Sequence, residues 1–248
     1  MTSRIIHPVR IGCAGWNVPK ADASEFSLDG SHLQRYSSRF NCVEINSSFY
    51  KSHQPSTYAR WAECVPTTFR FSVKLPRRIT HDLRLVGVGG LLDAFFAEVD
   101  MLGQKLGCVL VQLPPSFRFE RAVVNRFLQM LRRRHAGDVV LEPRHASWFE
   151  TEADDVLKHF SIGRVAADPA VVPAAALPGG DTRVVYLRLH GSPKIYYSTY
   201  PQARLVEIAE SLHNAVAAGA RAWCVFDNTA LGAATANALE TTRLVEKL

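Results

Sequence analysis

The chain has no Cys-x-x-Cys pair and no cysteine spacing of the zinc-binding type, although it carries five cysteines. Cys13, Cys42, Cys64, Cys108 and Cys224 are odd in number, which argues against a disulfide framework. Four of them fall in or beside apolar strand runs, where a thiol is simply a small core residue. Reduced thiols fit a cytoplasmic protein. No uninterrupted apolar run approaches the roughly 18 residues of a membrane span, so no membrane partner is expected. The opening MTSRIIHPVR lacks the apolar stretch of a secretory signal. No G-x-G-x-x-G with a downstream acid follows the first strand, and no H-E-x-x-H appears. No cofactor and no metal are therefore expected. No linker, low-complexity tract or internal repeat divides the chain, so residues 1–248 read as one domain.

What is present is an ordinary globular mixture, 47% hydrophobic and 21% charged. A chain of this length buries on the order of 70–75% of its unfolded surface, so it needs no staple. The net charge of +6 favours anionic partners: phosphates, nucleic acid or acidic metabolites. The basic residues are spread along the chain. The densest run, RRRH at Arg132–His135, closes a helical pattern, where cations suit the negative end of the helix dipole.

Short β-branched or aromatic runs alternate with longer amphipathic ones. The strand candidates are VRIGCAGW, CVEIN, FRFSVKLP, GCVLVQLPP, DVVLEPRH, GRVAAD, RVVYLRLHG and AWCVFDNT. Helical patterns lie near residues 31–39, 55–64, 90–104, 120–134, 151–160, 202–219 and 233–247. Alternation of this kind predicts βαβ units and a parallel sheet. About eight strands predict an α/β fold, a single-domain (β/α)8 TIM barrel rather than an open sheet. Between GRVAAD and RVVYLRLHG the segment PAVVPAAALPGGDT has no helical pattern and reads as a loop replacing the sixth helix.

Side chains alternate between the two faces of a strand. Arg70, Ser72 and Lys74 share one face of FRFSVKLP; Tyr186, Arg188 and His190 share one face of YLRLHG. Glu44 and Asn46 share a face of CVEIN, Gln112 alternates with the apolar positions of VLVQLP, and Glu142 and Arg144 follow the same parity in VVLEPRH. In each strand the polar residues crowd the C-terminal end, the end that carries barrel active sites. Glu44, Asn46, Lys74, Gln112, Glu142, Arg144, Arg188 and His190 are expected to converge on one rim. The rim is either a ligand site or a network of ion pairs that only ties the barrel top together. Gly12 and Gly15, in GCAGW, allow close backbone approach to a ligand or a sharp turn.

Taken in order, IGCAGW, VEINSSFY, FSVKLP, LGCVLVQLPPSF, LEPRHASW, YLRLHG and FDNTALGAATANALE resemble the DUF72 (YecE-like) family. The resemblance runs from Ile11 to about Leu239. It implies a TIM barrel with the motif residues at its C-terminal mouth, and it implies no established reaction. Its pattern covers Glu44, Asn46, Phe49, Tyr50, Lys74, Gln112, Glu142, Arg144, His145, Trp148, Arg188, His190 and Asn228. Cys13 and Ala14 stand where the family usually has two hydroxyl residues, and Asp227 stands where it usually has asparagine, adding an acid to the rim.

Three functional readings follow. In the first, Glu44 and Glu142 divide acid and base roles, with His190 as a further proton carrier. A carboxylate against Trp148 would have its pKa raised. Lys74, Arg144 and Arg188 would hold an anionic substrate, a phosphorylated sugar or nucleotide. Trp16, Phe49, Tyr50 and Trp148 would form a stacking wall, although Trp148 serves equally as loop packing. The second reading is a non-enzymatic binder of nucleic acid or an anionic ligand, with SPKIYYSTYPQAR either a lid or a packed loop. The third is a metal-dependent phosphodiesterase resembling barrel-type apurinic endonucleases, with ligands from His145, His190, Glu44, Glu142, Asp168 and Asp227. Lysine and arginines on the same rim oppose a metal.

Overall fold

The helical patterns become seven α-helices among the described residues, 9–248 of a computed structural model. Residues 1–8, most of the stretch read above for a secretory signal, lie outside them. The helices are α1 (His32–Ser37), α2 (Pro55–Glu63), α3 (Gly89–Val99), α4 (Arg121–Arg132), α5 (Thr151–His159), α6 (Gln202–Ala217) and α7 (Ala233–Val245). Local chemistry sets several of their ends. Ser31 and Gln34 form a reciprocal capping box at the start of α1, with Gln34 Oε1 accepting the Ser31 N–H at 2.8 Å. Pro55 opens α2, where its missing N–H costs nothing. α3 stops sooner than its pattern predicts. The chain tightens into a 3-10 turn over Asp100–Lys105 because Gly103 adopts φ 55°.

The strands are β1 (Arg10–Cys13), β2 (Cys42–Ile45), β3 (Arg70–Lys74), β4 (Leu106–Gln112), β5 (Val139–Glu142), β6 (Gly163–Arg164), β7 (Ala166–Asp168), β8 (Gly179–Gly180), β9 (Val184–Leu189) and β10 (Arg221–Phe226). They form two sheets, β1-β10-β9-β7 and β2-β3-β4-β5-β6-β8. Every ladder is parallel except β6–β8. The sheets meet twice. Ala14 bridges Glu44 in parallel, and the Gly15 N–H donates to Glu44 O at 2.9 Å. β6 and β7 follow one another with only Val165 between, and Val165 N–H donates to Leu141 O at 3.0 Å. Between Asp168 and Val184 there is no α-helix, only the 3-10 turn Pro173–Ala176 and the short β8. Prolines and glycines there deny a helix its donors and its stiffness.

Strand parity divides the core into two layers. Outward residues such as Val43, Phe71, Val109, Leu141, Leu187 and Phe226 pack against the helices. α4 shows the reason: Val124, Phe127, Leu128 and Leu131 recur every three or four residues and are all buried, each worth roughly 1.5–3 kcal/mol. Inward residues Cys42, Cys108, Val140, Val184, Tyr186 and Trp223 fill the space between the sheets. Gly12 serves this packing and not a ligand: a Cβ there would strike the Cys42 carbonyl. Arg132, from the basic run, donates to Phe160 O at 2.8 Å, Ser161 O at 2.7 Å and Gly137 O at 2.6 Å, so it ties α4 to its neighbours. The whole is a mixed α/β single-domain fold with parallel sheets.

Candidate functional site

The inward parity predicted from the sequence brings Glu44, Lys74, Glu142, Arg188 and His190 together at the C-terminal strand ends. Arg188 is the centre and is 1% exposed. Its Nη2 donates to Glu44 Oε1 at 2.8 Å and its Nε to Glu44 Oε2 at 3.1 Å, a two-pronged grip. Its Nη1 donates to Glu142 Oε2 at 3.2 Å, and Nη2 also lies 2.8 Å from Asp227 Oδ2. Tyr186 donates to Glu44 Oε2 at 2.8 Å and is bonded to Ser72 Oγ at 2.9 Å. Arg144 pairs with Glu142, and its Nη2 lies 2.7 Å from His190 Nε2. The same Nε2 lies 3.1 Å from Glu142 Oε1, and Nδ1 lies 3.1 Å from Asp227 Oδ2, so the imidazole is held between two carboxylates.

The electrostatics follow from this mesh. Burial pushes the Glu142 carboxyl up, but Arg144, Arg188 and His190 outweigh it and hold it well below the usual carboxylate range. Asp227 is likewise pushed up by burial, and Arg188 and the His190 bond bring it below its ordinary value. Burial lowers Arg188, yet Asp227, Glu44 and Glu142 raise it further than burial depresses it. These groups are locked as ions.

Lys74 differs. It is 5% exposed, its Nζ makes no hydrogen bond or ion pair with any described residue, and it rests 4.0 Å over the Phe49 ring. Burial, and then the Arg188 charge, push its ammonium down to about 8, against a weaker pull from Glu44, Glu142 and Asp227. Beside it, Asn46 keeps a buried Oδ1 without a partner.

Several expectations are corrected by this geometry. Arg188 has no free edge for an anion, because three carboxylates use its donors. Glu142 is not raised by Trp148; the arginines lower it. Trp148 is fully buried, its indole N–H donates to Phe117 O at 2.9 Å, and Phe119 packs edge-on at 5.1 Å, so it offers no face to a ligand. We expect Trp148→Phe to cost about 1–3 kcal/mol in urea unfolding, through the orphaned carbonyl and the smaller ring. Trp16 is half-buried and packs edge-on against Trp61 at 5.0 Å. His145 caps the turn Ala146–Trp148, its Nδ1 accepting from Ser147 N–H at 3.1 Å, and is not bonded into the cluster. Asn228 is buried and donates to Ser198 O and Asn237 Oδ1, both at 2.9 Å, pinning the loop after β9. That loop is also held by Tyr196 N–H on His190 O at 2.6 Å and Gly191 N–H on Tyr200 Oη at 2.8 Å, so its backbone is pinned while the side chains of Ser192–Tyr197 stay exposed.

Gln112 is half-buried beside Glu142 in the β4–β5 register. Tyr50 is 76% exposed with its ring 5.0 Å from Phe49. Among the described residues no group of three or more His, Cys, Asp or Glu is arranged to hold a metal. Asp168 lies apart, paired with Arg204 at 3.2 Å.

Parity had placed Tyr186 and Ser72 on the inward faces, but they were given no role in the site; one participant escaped the sequence reading altogether. His81 lies in a π-helical turn, Arg78–Asp82, directly after β3, its ring 5.0 Å from Phe49. Burial, then Arg77 and Lys74, lower its pKa. Only its position a few residues beyond an inward lysine hinted at it.

The family model described as "Protein of unknown function DUF72" matches residues 10–248. The chain is 32% identical to UPF0759 protein YecE of Escherichia coli (strain K12) over 109 residues, 44% of this chain and 39% of that protein. It is 30% identical to UPF0759 protein YunF of Bacillus subtilis (strain 168) over 149 residues, 57% of this chain and 52% of that protein. These matches thus span about half the length of the curated relatives or less. A crystal structure of a DUF72 family protein from Thermotoga maritima MSB8 superposes with TM-score 0.81 at 24% identity, covering 97% of this chain and 100% of that one. One from Enterococcus faecalis V583 gives 0.80 at 20% identity, covering 96% of each. At such identities these structures speak for the fold alone. With the family model spanning nearly the whole chain, the protein belongs to the DUF72 family.

Proposed function

We propose that this protein is an enzyme that acts on a small anionic molecule at the C-terminal mouth of a single-domain TIM barrel. The barrel reading is supported by the Ala14–Glu44 bridge at one seam and by the consecutive β6 and β7 at the other. Counting β6 and β7 as one strand, and leaving out the antiparallel β8, leaves eight strands around the ring. The five unpaired thiols support a reducing, cytoplasmic setting.

Lys74 carries the functional reading. A network built only for stability has no use for a buried ammonium without a counter-ion. An amine held near pH 8 exchanges protons at physiological pH, as a general acid–base group must. Glu44, Glu142, Asp227 and Arg188 form the fixed field around it, and His190 is oriented by Asp227. Arg144, partly exposed with its Nε unpartnered, is the guanidinium left to meet an anion.

The test uses a pool of small phosphorylated and carboxylated metabolites. Wild-type turnover of one member, lost in Lys74→Arg with binding retained, supports the reading. Arginine keeps the charge and cannot give it up. No wild-type turnover of any member overturns it. A second reading, a nucleic-acid or anionic-ligand binder, is favoured by the exposed Tyr50, Tyr196 and Tyr197 and by Lys194 lying 4.2 Å over Tyr197. Binding of single-stranded oligonucleotides that weakens steeply with salt would mark it.

A further inference from the structure

The opposite ends of the same strands hold a second cluster of charge. A cavity of about 280 Å³ opens there, lined by Arg10, Arg70, Asp138, Arg221, Trp223 and Gly107 among others. Arg221 is already committed: its Nε and Nη2 grip Asp138 at 2.6 and 2.7 Å. Arg10 and Arg70 have no carboxylate partner among the described residues. Arg10 donates only through Nη1, to Thr68 O at 3.1 Å and Asn41 O at 3.5 Å. Arg70 donates only through Nη1, to Thr67 O at 2.7 Å and Phe69 O at 2.9 Å. The Nε and Nη2 donors of both meet no acceptor among the described residues. The Arg10 guanidinium lies 5.6 Å from the Trp223 ring centroid, and Arg10 is pushed below its usual pKa by burial and further by the Arg70 charge.

We infer that this cavity is an anion site, taking a phosphate group between Arg10 and Arg70 with Trp223 as its wall. Two unsatisfied guanidinium edges on one cavity match the bidentate geometry of a tetrahedral oxyanion. The volume falls just below the range of drug-sized ligand pockets, roughly 300–1,000 Å³, which suits inorganic phosphate or a small phosphomonoester and not a polymer. The competing role is purely structural, since this end of a barrel more often serves stability. In that role the arginines would only tie loop carbonyls, and one Nη of each already does so.

The test is titration with inorganic phosphate and, separately, methyl phosphate at constant ionic strength, followed by calorimetry and tryptophan fluorescence. Saturable binding is expected, weakened roughly tenfold or more in Arg70→Gln and in Arg10→Gln. Lys158→Gln removes the same charge from an exposed helix and leaves binding unchanged. Tighter phosphate binding identifies the free ion as ligand, and tighter methyl phosphate binding a phosphorylated small molecule. If Arg10→Gln does not fold, half-buried Arg70 still decides. Binding absent in wild type, reproduced by chloride, or unaltered in Arg70→Gln overturns the site. Each outcome is independent of Lys74 at the other end.

Discussion

Arg188→Met is expected to lose about 3–5 kcal/mol of unfolding free energy at neutral pH, the largest effect of any single change at the rim. Methionine fills much of the same space, so the loss is not chiefly a cavity. It comes from Glu44, Glu142 and Asp227, which Arg188 touches at 2.8–3.2 Å and which would be left buried with Arg144, Lys74, His190 and the Tyr186 hydroxyl near them but without their central guanidinium. The pH dependence identifies the cause. In the wild type, Glu142 and Asp227 lie below their ordinary values, so they stabilise the fold above the unfolded carboxylate pKa. That stability is lost as pH falls through their folded values. In the variant, burial without Arg188 raises the carboxylates above their unfolded values. The folded state then binds protons more readily, and stability rises as pH is lowered from 7 toward 5. Urea unfolding across that range reads the sign directly. A variant that weakens in parallel with the wild type on acidification would show that Arg188 acts through packing alone.

Lys74→Met is expected to do the reverse and stabilise the protein by about 1–3 kcal/mol at pH 7, while abolishing any turnover. Lys74 sits near 8 in the folded chain against 10.5 for an ordinary lysine. Below pH 8 both folded and unfolded chains carry the proton, and the folded state bears the full penalty of a buried ammonium, on the order of 3 kcal/mol. Between pH 8 and 10.5 the unfolded chain holds the proton more tightly, so wild-type stability rises with pH. Above that window the penalty is gone. The advantage of the variant should therefore shrink across the same window. Methionine keeps the aliphatic contact with Phe49 and removes only the charge. A loss of stability at pH 7 would identify Lys74 as a counter-ion for the three carboxylates and remove the main support for an acid–base role.

Much of the architecture was legible because its signals are local. The amphipathic period of FLQML within α4, the proline at the start of α2 and the proline–glycine segment after β7 each act within a few residues. Helix limits were accurate where a cap or proline marked them and too long where Gly103 turned the chain. The site was half legible. Alternation is a property of one strand, so Glu44, Lys74, Glu142, Arg188 and His190 could be assigned to one face before any fold was known. Trp148 shows where that stops. Its motif position could not reveal that Phe117, from the loop after β4, would take its indole proton. His81 shows the converse, since no strand parity extends into the turn that carries it.

The sequence by itself determined the order of strands and helices, the face on which each rim residue lies, and the end of the strands where charge collects. These depend on backbone geometry that repeats every two or about 3.6 residues. Only the tertiary structure decided which charges neutralise one another. Arg188 meets acids 144, 46 and 39 positions away, at Glu44, Glu142 and Asp227, and so takes every nearby carboxylate. Lys74, on the same face and of the same sign, receives none and is left against an aromatic ring. That division turns on distances of a few ångströms across separate strands. No pattern along one strand contains them, because they arise only when the strand registers are set together.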